Sequence, residues 1–218
     1  MAGLGRILLY SAGVGFSGAE LDAFRGKTLP DLVGPGIRLL FVGVNPGLQT
    51  AAVQAHFGRR GNRFYPALFR AGIVDRLIDA SKGLDPDDRA HLIARGVGIT
   101  SLVPGATRRA DELDERELRA GADALAERVA RIHPRAVAIL GITAYRIGFG
   151  RRKALVGRQP ELIGDAQLWV VPNPSGLNAH STLAGLGGAY REVALAAGIQ
   201  ITEAASPGRK DARLHARE

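Results

Sequence analysis

The 218-residue sequence contains no cysteine. Disulfides, thiolate zinc sites, iron–sulfur clusters and cysteine nucleophiles are therefore excluded, and the lack of disulfides fits a reducing cytoplasm. Histidine is scarce as well: the chain has five, and none are paired at the i, i+4 spacing of a helical metal site. The sequence gives no support for a bound metal, and we expect the protein to need no cofactor.

Long apolar runs are also missing. Residues 1–16 are weakly apolar, but glycine and serine interrupt them, and they are too few to span a bilayer. They also make a poor signal peptide, so we expect a cytoplasmic protein that does not enter a membrane. A monomer is the default expectation. At 46% hydrophobic residues the chain can bury one substantial core. We predict an N-terminal extension with a short helix over residues 1–28, one α/β domain over 29–201, and a disordered tail over 202–218, where the sequence is polar and aperiodic.

Positive charge is present in excess. The formal net charge is +8 and the isoelectric point is near 10.5. The basic residues form clusters at Arg59, Arg60 and Arg63, at Arg108 and Arg109, and at Arg151, Arg152 and Lys153. Basic clusters on several loops are what contacts with a phosphate backbone require, although a solvated surface explains them equally well.

Hydrophobic periodicity predicts alternating strands and helices. Apolar runs at residues 37–44, 97–103, 136–141 and 168–172 are typical of strands buried on both faces. Helices are predicted at residues 19–24, 62–73, 143–149 and 182–198, with a short one through Leu92 and a longer amphipathic one from Leu118 to Ile132 that Pro134 ends. This alternation predicts a three-layer α/β sandwich with a central, mainly parallel sheet.

Asparagine, proline and glycine recur where two of the predicted strands end. "GVNPG", residues 43–47, follows the first strand, and "PNPSGLNAH", residues 172–180, follows the last. Each segment is also an ordinary turn sequence. Functional groups collect at the carboxyl ends of parallel strands, however, so the shared placement predicts that the two segments face each other across one cleft.

These segments resemble the two signature motifs of the mismatch-specific uracil/thymine DNA glycosylases, a branch of the uracil-DNA glycosylase superfamily. The first motif continues as "GVNPGLQTAAVQAHFGRRGNRFYPALFRAGI", and the second is "NPSGLNAH". Between them, "GITSLVPGAT", "ELRAGADALAERVARIHPRAVAILG" and "LWVVPNPSG" keep the family's order and spacing. The likeness runs from about Leu29 to about Gly198.

The resemblance implies the superfamily's fold and a monofunctional glycosylase acting on nucleoid DNA. Such an enzyme hydrolyses the N-glycosidic bond of uracil, or of thymine or another damaged pyrimidine, mispaired with guanine in double-stranded DNA. It flips the base out of the duplex, leaves an abasic site and uses no cofactor.

The resemblance also implies roles for residues of the base pocket. Asn45 matches the catalytic asparagine that holds the attacking water. Because an amide is a weak base, catalysis would depend on positioning of the water and on electrostatic stabilisation. Phe57 matches the aromatic ring that stacks on the flipped base. Gly43, Val44, Thr50 and Asn173 complete the predicted base-binding set.

The second motif implies contacts with the DNA itself. Gly176 and Leu177 match a wedge whose apolar side chain fills the gap left in the base stack. Ser175, Asn178 and His180 complete the predicted contacts with the wedge region and the opposite strand. The two residues after Leu177 depart from the Ser-Arg pair of the bacterial prototype, and His180 is the candidate replacement for the missing basic contact.

Several interpretations stay open at this point. Ser101 occupies a position that is Lys or Asn in relatives, and Asn62 and Arg63 either order their loop or meet a phosphate. A non-catalytic lesion- or mismatch-binding module on the same fold is the main alternative function. A nucleotide-binding α/β protein would need a phosphate-binding turn after the first strand, where Pro46 offers no N–H. A serine hydrolase based on Ser175 lacks the G-x-S-x-G elbow.

Overall fold

The computed structural model describes residues 16–176 and 181–202. In chain order the elements are α1 (Gly18–Asp22), β1 (Leu39–Gly43), α2 (Leu48–Val53), α3 (Phe64–Arg70), α4 (Pro86–Ala94), β2 (Val97–Ser101), a 3₁₀ turn (Ala110–Glu112), α5 (Glu115–Ile132), β3 (Ala136–Leu140), α6 (Ile142–Gly148), β4 (Gly157–Ile163), β5 (Ala166–Val171) and α7 (Leu183–Ala196). The first 15 residues and nearly all of the predicted tail, residues 203–218, lie outside the described part of the chain.

The five strands form one sheet in the order β2-β1-β3-β5-β4. The first four are parallel to their neighbours, and β4 pairs antiparallel with β5 at the edge. The sheet confirms the predicted mainly parallel α/β architecture. The edge strand β4 is absent from the sequence-based prediction because only two of its seven residues are buried and it contains Pro160, both of which weaken a strand signal.

Helices cover both faces of the sheet. Successive side chains of a strand point to opposite sides. Leu39 and Phe41 of β1 therefore belong to one buried cluster, shared with α3 and α7. Leu40 and Val42 belong to a second cluster, shared with α5 and α6. The result is the three-layer sandwich that the alternation of elements predicted.

Helix α5 begins and ends where its local sequence dictates. Asp114 and Glu117 form a reciprocal capping box, with N–H to carboxylate distances of 2.8 and 2.9 Å. At the other end His133 adopts a left-handed φ of 52°, and Pro134 follows. Although α5 is 18 residues long, no described helix is both long and apolar enough to cross a membrane.

Candidate active site

A cavity of about 160 Å³ opens at the carboxyl edge of the sheet. Gly43 at the end of β1, Ser101 at the end of β2, Leu140 at the end of β3 and Asn173 just after β5 all line it. Pockets for drug-sized ligands measure roughly 300–1,000 Å³, so this cavity suits a smaller group. Larger and more open depressions beside α4 and around β4 share no residue with it.

The structure brings most of the predicted site residues together around this cavity. Those that line it are Gly43, Val44, Asn45, Thr50, Phe57, Asn173 and Ser175, together with Asn62 and Ser101. Gly176 directly follows the lining, whereas Leu177, Asn178 and His180 lie outside the described residues. The two motif segments therefore face one cavity, as their placement at strand ends predicts.

The Asn45 side chain is held by the loop that follows β2. Its Nδ2 donates to the Gly105 carbonyl at 3.1 Å and to Thr107 Oγ1 at 2.7 Å. Because a carbonyl oxygen only accepts, the nitrogen of the amide must face Gly105. The Thr107 hydroxyl donates to the Arg109 carbonyl at 2.7 Å, so its lone pairs accept from Asn45. Both amide hydrogens are thus engaged, and among the described residues no donor contacts Oδ1.

Backbone hydrogen bonds join the first motif to the same loop. The N–H groups of Leu102 and Val103 donate to the carbonyls of Gly43 and Val44 at 2.8 and 2.9 Å. Further along, the N–H of Thr107 donates to the Pro46 carbonyl at 3.1 Å. The motif and the residues that orient Asn45 therefore form one connected piece of backbone. Thr107 and Gly105 were not predicted as site residues, since neither stands in a signature motif.

Phe57 forms a wall of the cavity. Its ring stacks on Phe64, with centroids 4.1 Å apart and planes at 25°. Phe57 has a φ of 56°, unusual for a residue with a side chain. A Cβ on Gly43 would lie 3.2 Å from this ring, so a side chain at position 43 would press against Phe57. Phe57 is therefore both a partner of the core and a surface of the cavity.

His56 contributes a neutral wall beside Phe57. The side chain is buried, and its Nε2 lies 3.1 Å from the Pro30 carbonyl, so Nε2 must carry a proton. Burial lowers the pKa of His56 below its ordinary value of 6.5, which keeps the ring uncharged at neutral pH. The Tyr65 hydroxyl donates to the His56 carbonyl at 3.0 Å and fixes this segment. A lone histidine has no sequence pattern around it that would have predicted this position.

The second motif is fixed by its own side chains and by α7. Asn173 Oδ1 accepts a hydrogen bond from the Ser175 N–H at 2.9 Å, the geometry of an Asx turn. The Tyr190 hydroxyl donates to the Pro172 carbonyl at 3.3 Å. Residues 172–175 are therefore held in a defined conformation beside the cavity.

Arginines are the charged residues of the cavity lining. Arg59, Arg108 and Arg109 line it, whereas the described lining contains neither Asp nor Glu. Arg108 pairs with Asp22 at 2.6 Å, and Arg109 pairs with the neighbouring Asp111. The described residues also contain no group of three or more side chains placed to hold a metal ion. The site can attract an anion, but its described lining offers no carboxylate as a base.

The segment around α1 packs against the loop that orients Asn45. The N–H of Gly26 donates to the Ala106 carbonyl at 2.8 Å, and the N–H of Ala106 donates to the Lys27 carbonyl at 2.9 Å. Leu21 and Phe24 pack on the small apolar cluster that includes Ala106. The predicted N-terminal extension thus contacts the site loop directly.

Two comparisons relate the chain to known proteins. Residues 30–196, which include the whole described cavity lining, match the family profile of the Uracil DNA glycosylase superfamily. The fold is similar to the solution NMR structure of a candidate uracil DNA glycosylase from Methanosarcina acetivorans. The TM-score is 0.53 at 15% sequence identity, covering 78% of this chain and 98% of that chain. At this identity the likeness supports the fold alone.

Proposed function

Because this chain belongs to the Uracil DNA glycosylase superfamily, we propose that it removes uracil mispaired with guanine in double-stranded DNA. The bond between the base and the deoxyribose breaks, water adds to the sugar carbon, and a free base and an abasic site result. Thymine and other damaged pyrimidines opposite guanine are further candidate substrates. Residues 29–201 would form the single catalytic domain, acting as a monomer without a cofactor.

The fixed orientation of Asn45 carries this proposal. With both amide hydrogens engaged by Gly105 and Thr107, Oδ1 can accept a hydrogen bond from a water in the cavity. That water would be held in position for attack on the sugar carbon as positive charge develops there. An amide need not remove the proton in advance, because the developing cation attracts a neutral water. Positioning would therefore supply much of the rate enhancement.

The leaving base needs a surface for its ring and stabilisation for its negative charge. Phe57 would supply the surface, and stacking of a base on an aromatic ring contributes about 1–3 kcal/mol. Arg108 and Arg109 are paired with Asp22 and Asp111, so Arg59 is the lining arginine whose charge no described carboxylate offsets. Its charge would favour an anionic pyrimidine and the approach of DNA. His56 stays neutral and leaves this charge pattern unchanged.

A base stacked in a duplex cannot reach this cavity, so the nucleotide must be flipped out. Flipping costs a few kcal/mol and costs less at a mismatch, which would favour G·U over A·U pairs. Ser175 lies at the cavity, and the predicted wedge residue Leu177 follows two positions later. Gly176 and Leu177 would fill the vacated position, with Asn178 and His180 near the opposite strand.

The decisive test compares wild type with Asn45→Ala on end-labelled duplexes that carry G·U or A·U and on single-stranded uracil. After alkaline cleavage of abasic sites, we expect excision at G·U by wild type and a loss of roughly a hundredfold in the variant, since a misplaced reactant costs about that much. Gln200→Ala, which removes an exposed amide away from the cavity lining, is the matched control.

Three results would contradict parts of the proposal. If wild type forms no product from any substrate at enzyme excess, uracil excision is rejected. Tight G·U binding without product would then support the non-catalytic DNA-binding module. If Asn45→Ala excises uracil as fast as wild type, Asn45 does not hold the water.

A further inference from the structure

The loop between α6 and β4, residues 150–156, carries three basic residues in a row, and we name it the basic loop. Gly157, the first residue after it, pairs with Val170 near the carboxyl end of β5. Asn173, which lines the cavity, follows shortly after that strand. Neighbouring strands are about 4.8 Å apart and an extended chain advances about 3.3 Å per residue, so the basic loop joins the sheet roughly 11 Å from Asn173. This end of the loop therefore lies at the same edge of the sheet as the cavity.

Two cations of the basic loop are not neutralised by the described residues around them. Arg152 and Lys153 are exposed and form no ion pair with a described residue, whereas Arg151 pairs with Glu161. Arg158, at the start of β4, is likewise exposed and has no ion-pair partner among the described residues. Each of these three charges keeps its attraction for an anion.

The basic loop is held in place by side chains that donate to carbonyl groups within it and next to it. Arg146 donates from Nε and from a terminal nitrogen to the Ala154 carbonyl, at 3.0 and 2.7 Å. The buried Gln159 donates from Nε2 to the carbonyls of Leu155 and Gly157, at 2.8 and 2.9 Å. The backbone that carries the cations therefore has a defined shape, so less conformational freedom is lost when they bind a ligand.

The adjoining edge strand is poorly suited to pair with a strand of another protein. Pro160 has no N–H to offer a new strand. The pairing of β4 with β5 also shifts register between Arg158 and Leu162. Both features protect a sheet edge from added strands. This surface therefore offers side-chain charge rather than free backbone, and DNA is the polyanion that the proposed function brings to this edge of the sheet.

On the basis of the function proposed above, we propose that the basic loop and Arg158 bind phosphates of the DNA on one side of the lesion. The separation of roughly 11 Å, the reach of an arginine side chain and a rise of about 3.4 Å per base pair place these phosphates about three to five base pairs from the flipped nucleotide. Phosphate contacts carry no sequence information. The surface would therefore increase affinity for DNA of any sequence and leave bond cleavage in the cavity unaffected.

Arg152→Ala/Lys153→Ala tests this contact by removing two of the three charges. In fluorescence anisotropy titrations of a G·U duplex, we expect the slope of log affinity against log salt to fall by about 2, since each phosphate contact contributes about 0.9. The single-turnover excision rate at saturating enzyme should keep its wild-type value. Arg152→Lys, which keeps the charge, should keep the wild-type slope.

Neutral methylphosphonate linkages locate the contact on the DNA. Placed about three to five base pairs from the uracil, on one flank at a time, they should weaken binding by wild type more on one flank than on the other. The variant Arg152→Ala/Lys153→Ala should lose this difference, because the side chains that meet those phosphates are gone.

Arg131→Ala/Arg135→Ala is the matched control, because it also removes two exposed charges, just before β3 at the opposite edge of the sheet. It should keep the wild-type salt slope and the wild-type difference between flanks. Thermal unfolding of each variant establishes that the fold is intact.

Three results would overturn the inference. An unchanged slope in Arg152→Ala/Lys153→Ala would mean that the basic loop meets no phosphate. An equal fall in the control would mean that net charge alone sets the slope. A difference between flanks that persists without Arg152 and Lys153 would mean that other residues bind those phosphates. If wild type binds the duplex but excises nothing, the proposed function is rejected while the slopes still decide the role of the basic loop.

Discussion

At the scale of single residues, the chemistry of the site depends on which way the Asn45 amide faces. Rotation of the amide by half a turn would place Oδ1 against the Gly105 carbonyl, so two acceptors would face each other. The Thr107 hydroxyl is oriented by the Arg109 carbonyl and reinforces the same choice. These hydrogen bonds therefore determine whether Asn45 presents its acceptor, Oδ1, or its donor, Nδ2, to the cavity.

Thr107→Val should weaken excision through this chain. Valine has nearly the shape of threonine but cannot accept from Asn45, so one hydrogen bond that fixes the amide is lost. We expect the single-turnover rate on a G·U duplex to fall roughly tenfold to a hundredfold, with duplex affinity unchanged. Thr143→Val, at an exposed threonine of α6, is the control. An unchanged rate in Thr107→Val would show that Gly105 alone orients the amide.

At the scale of elements, α1 and the chain after it pack against the loop that orients Asn45. Arg25 pairs with Glu112, and Arg108 pairs with Asp22, so charged contacts surround the apolar contact of Phe24. Exposed ion pairs contribute little on their own. The apolar cluster and the paired backbone at Ala106 are therefore the main links between α1 and the loop.

Phe24→Ala should loosen the loop without unfolding the core. Phe24 is half-buried and lies outside the two large clusters, so we expect a smaller stability loss than the roughly 3–5 kcal/mol typical of a buried Phe→Ala change. The excision rate at G·U should fall about tenfold as Gly105 and Thr107 become mobile. Hydrogen exchange across residues 105–112 should accelerate in parallel.

Leu77→Ala is the comparison for Phe24→Ala, because the Leu77 side chain is 62% exposed. It should change neither the excision rate nor exchange in the loop. If exchange in the loop accelerates in Phe24→Ala while excision keeps its wild-type rate, α1 is not needed to hold Asn45.

At the scale of the whole molecule, the net charge of +8 directs the protein toward a polyanion. Two of the basic clusters lie at the site: Arg59 and two further arginines line the cavity, and Arg63 donates to the Ser175 carbonyl. Arg151, Arg152 and Lys153 lie outside the cavity lining, in the loop before β4. Arginines with the same charge therefore have different expected roles, which salt dependence can separate.

Arg59→Ala should weaken binding to duplex DNA of any sequence. Arg59 is exposed and forms no ion pair with another described residue, so it is available for a phosphate. Loss of one phosphate contact should reduce the slope of log affinity against log salt by about 1. The measurement is a fluorescence anisotropy titration at several salt concentrations. Arg131→Ala removes the same charge near the opposite edge of the sheet and should leave the slope unchanged. Equal slopes for the two variants would contradict a phosphate contact of Arg59.

The sequence by itself determined the layered α/β fold and the two segments that flank the cavity. Both depend on local signals: apolar runs for buried strands, helical periodicity for α5, and Asn-Pro turns at strand ends. The antiparallel edge strand β4 and the short helix α2 escaped prediction because their local signals are weak.

Only the tertiary structure decided how the site residues act. Thr107 lies 62 positions from Asn45, and Arg63 lies 111 to 118 positions from the carbonyls it binds. These contacts form because the sheet order places β2 beside β1 and brings the end of β5 to the same edge. The neutral state of His56 likewise follows from burial. Side-chain orientation and charge state depend on neighbours that are distant in sequence, and no local pattern specifies them.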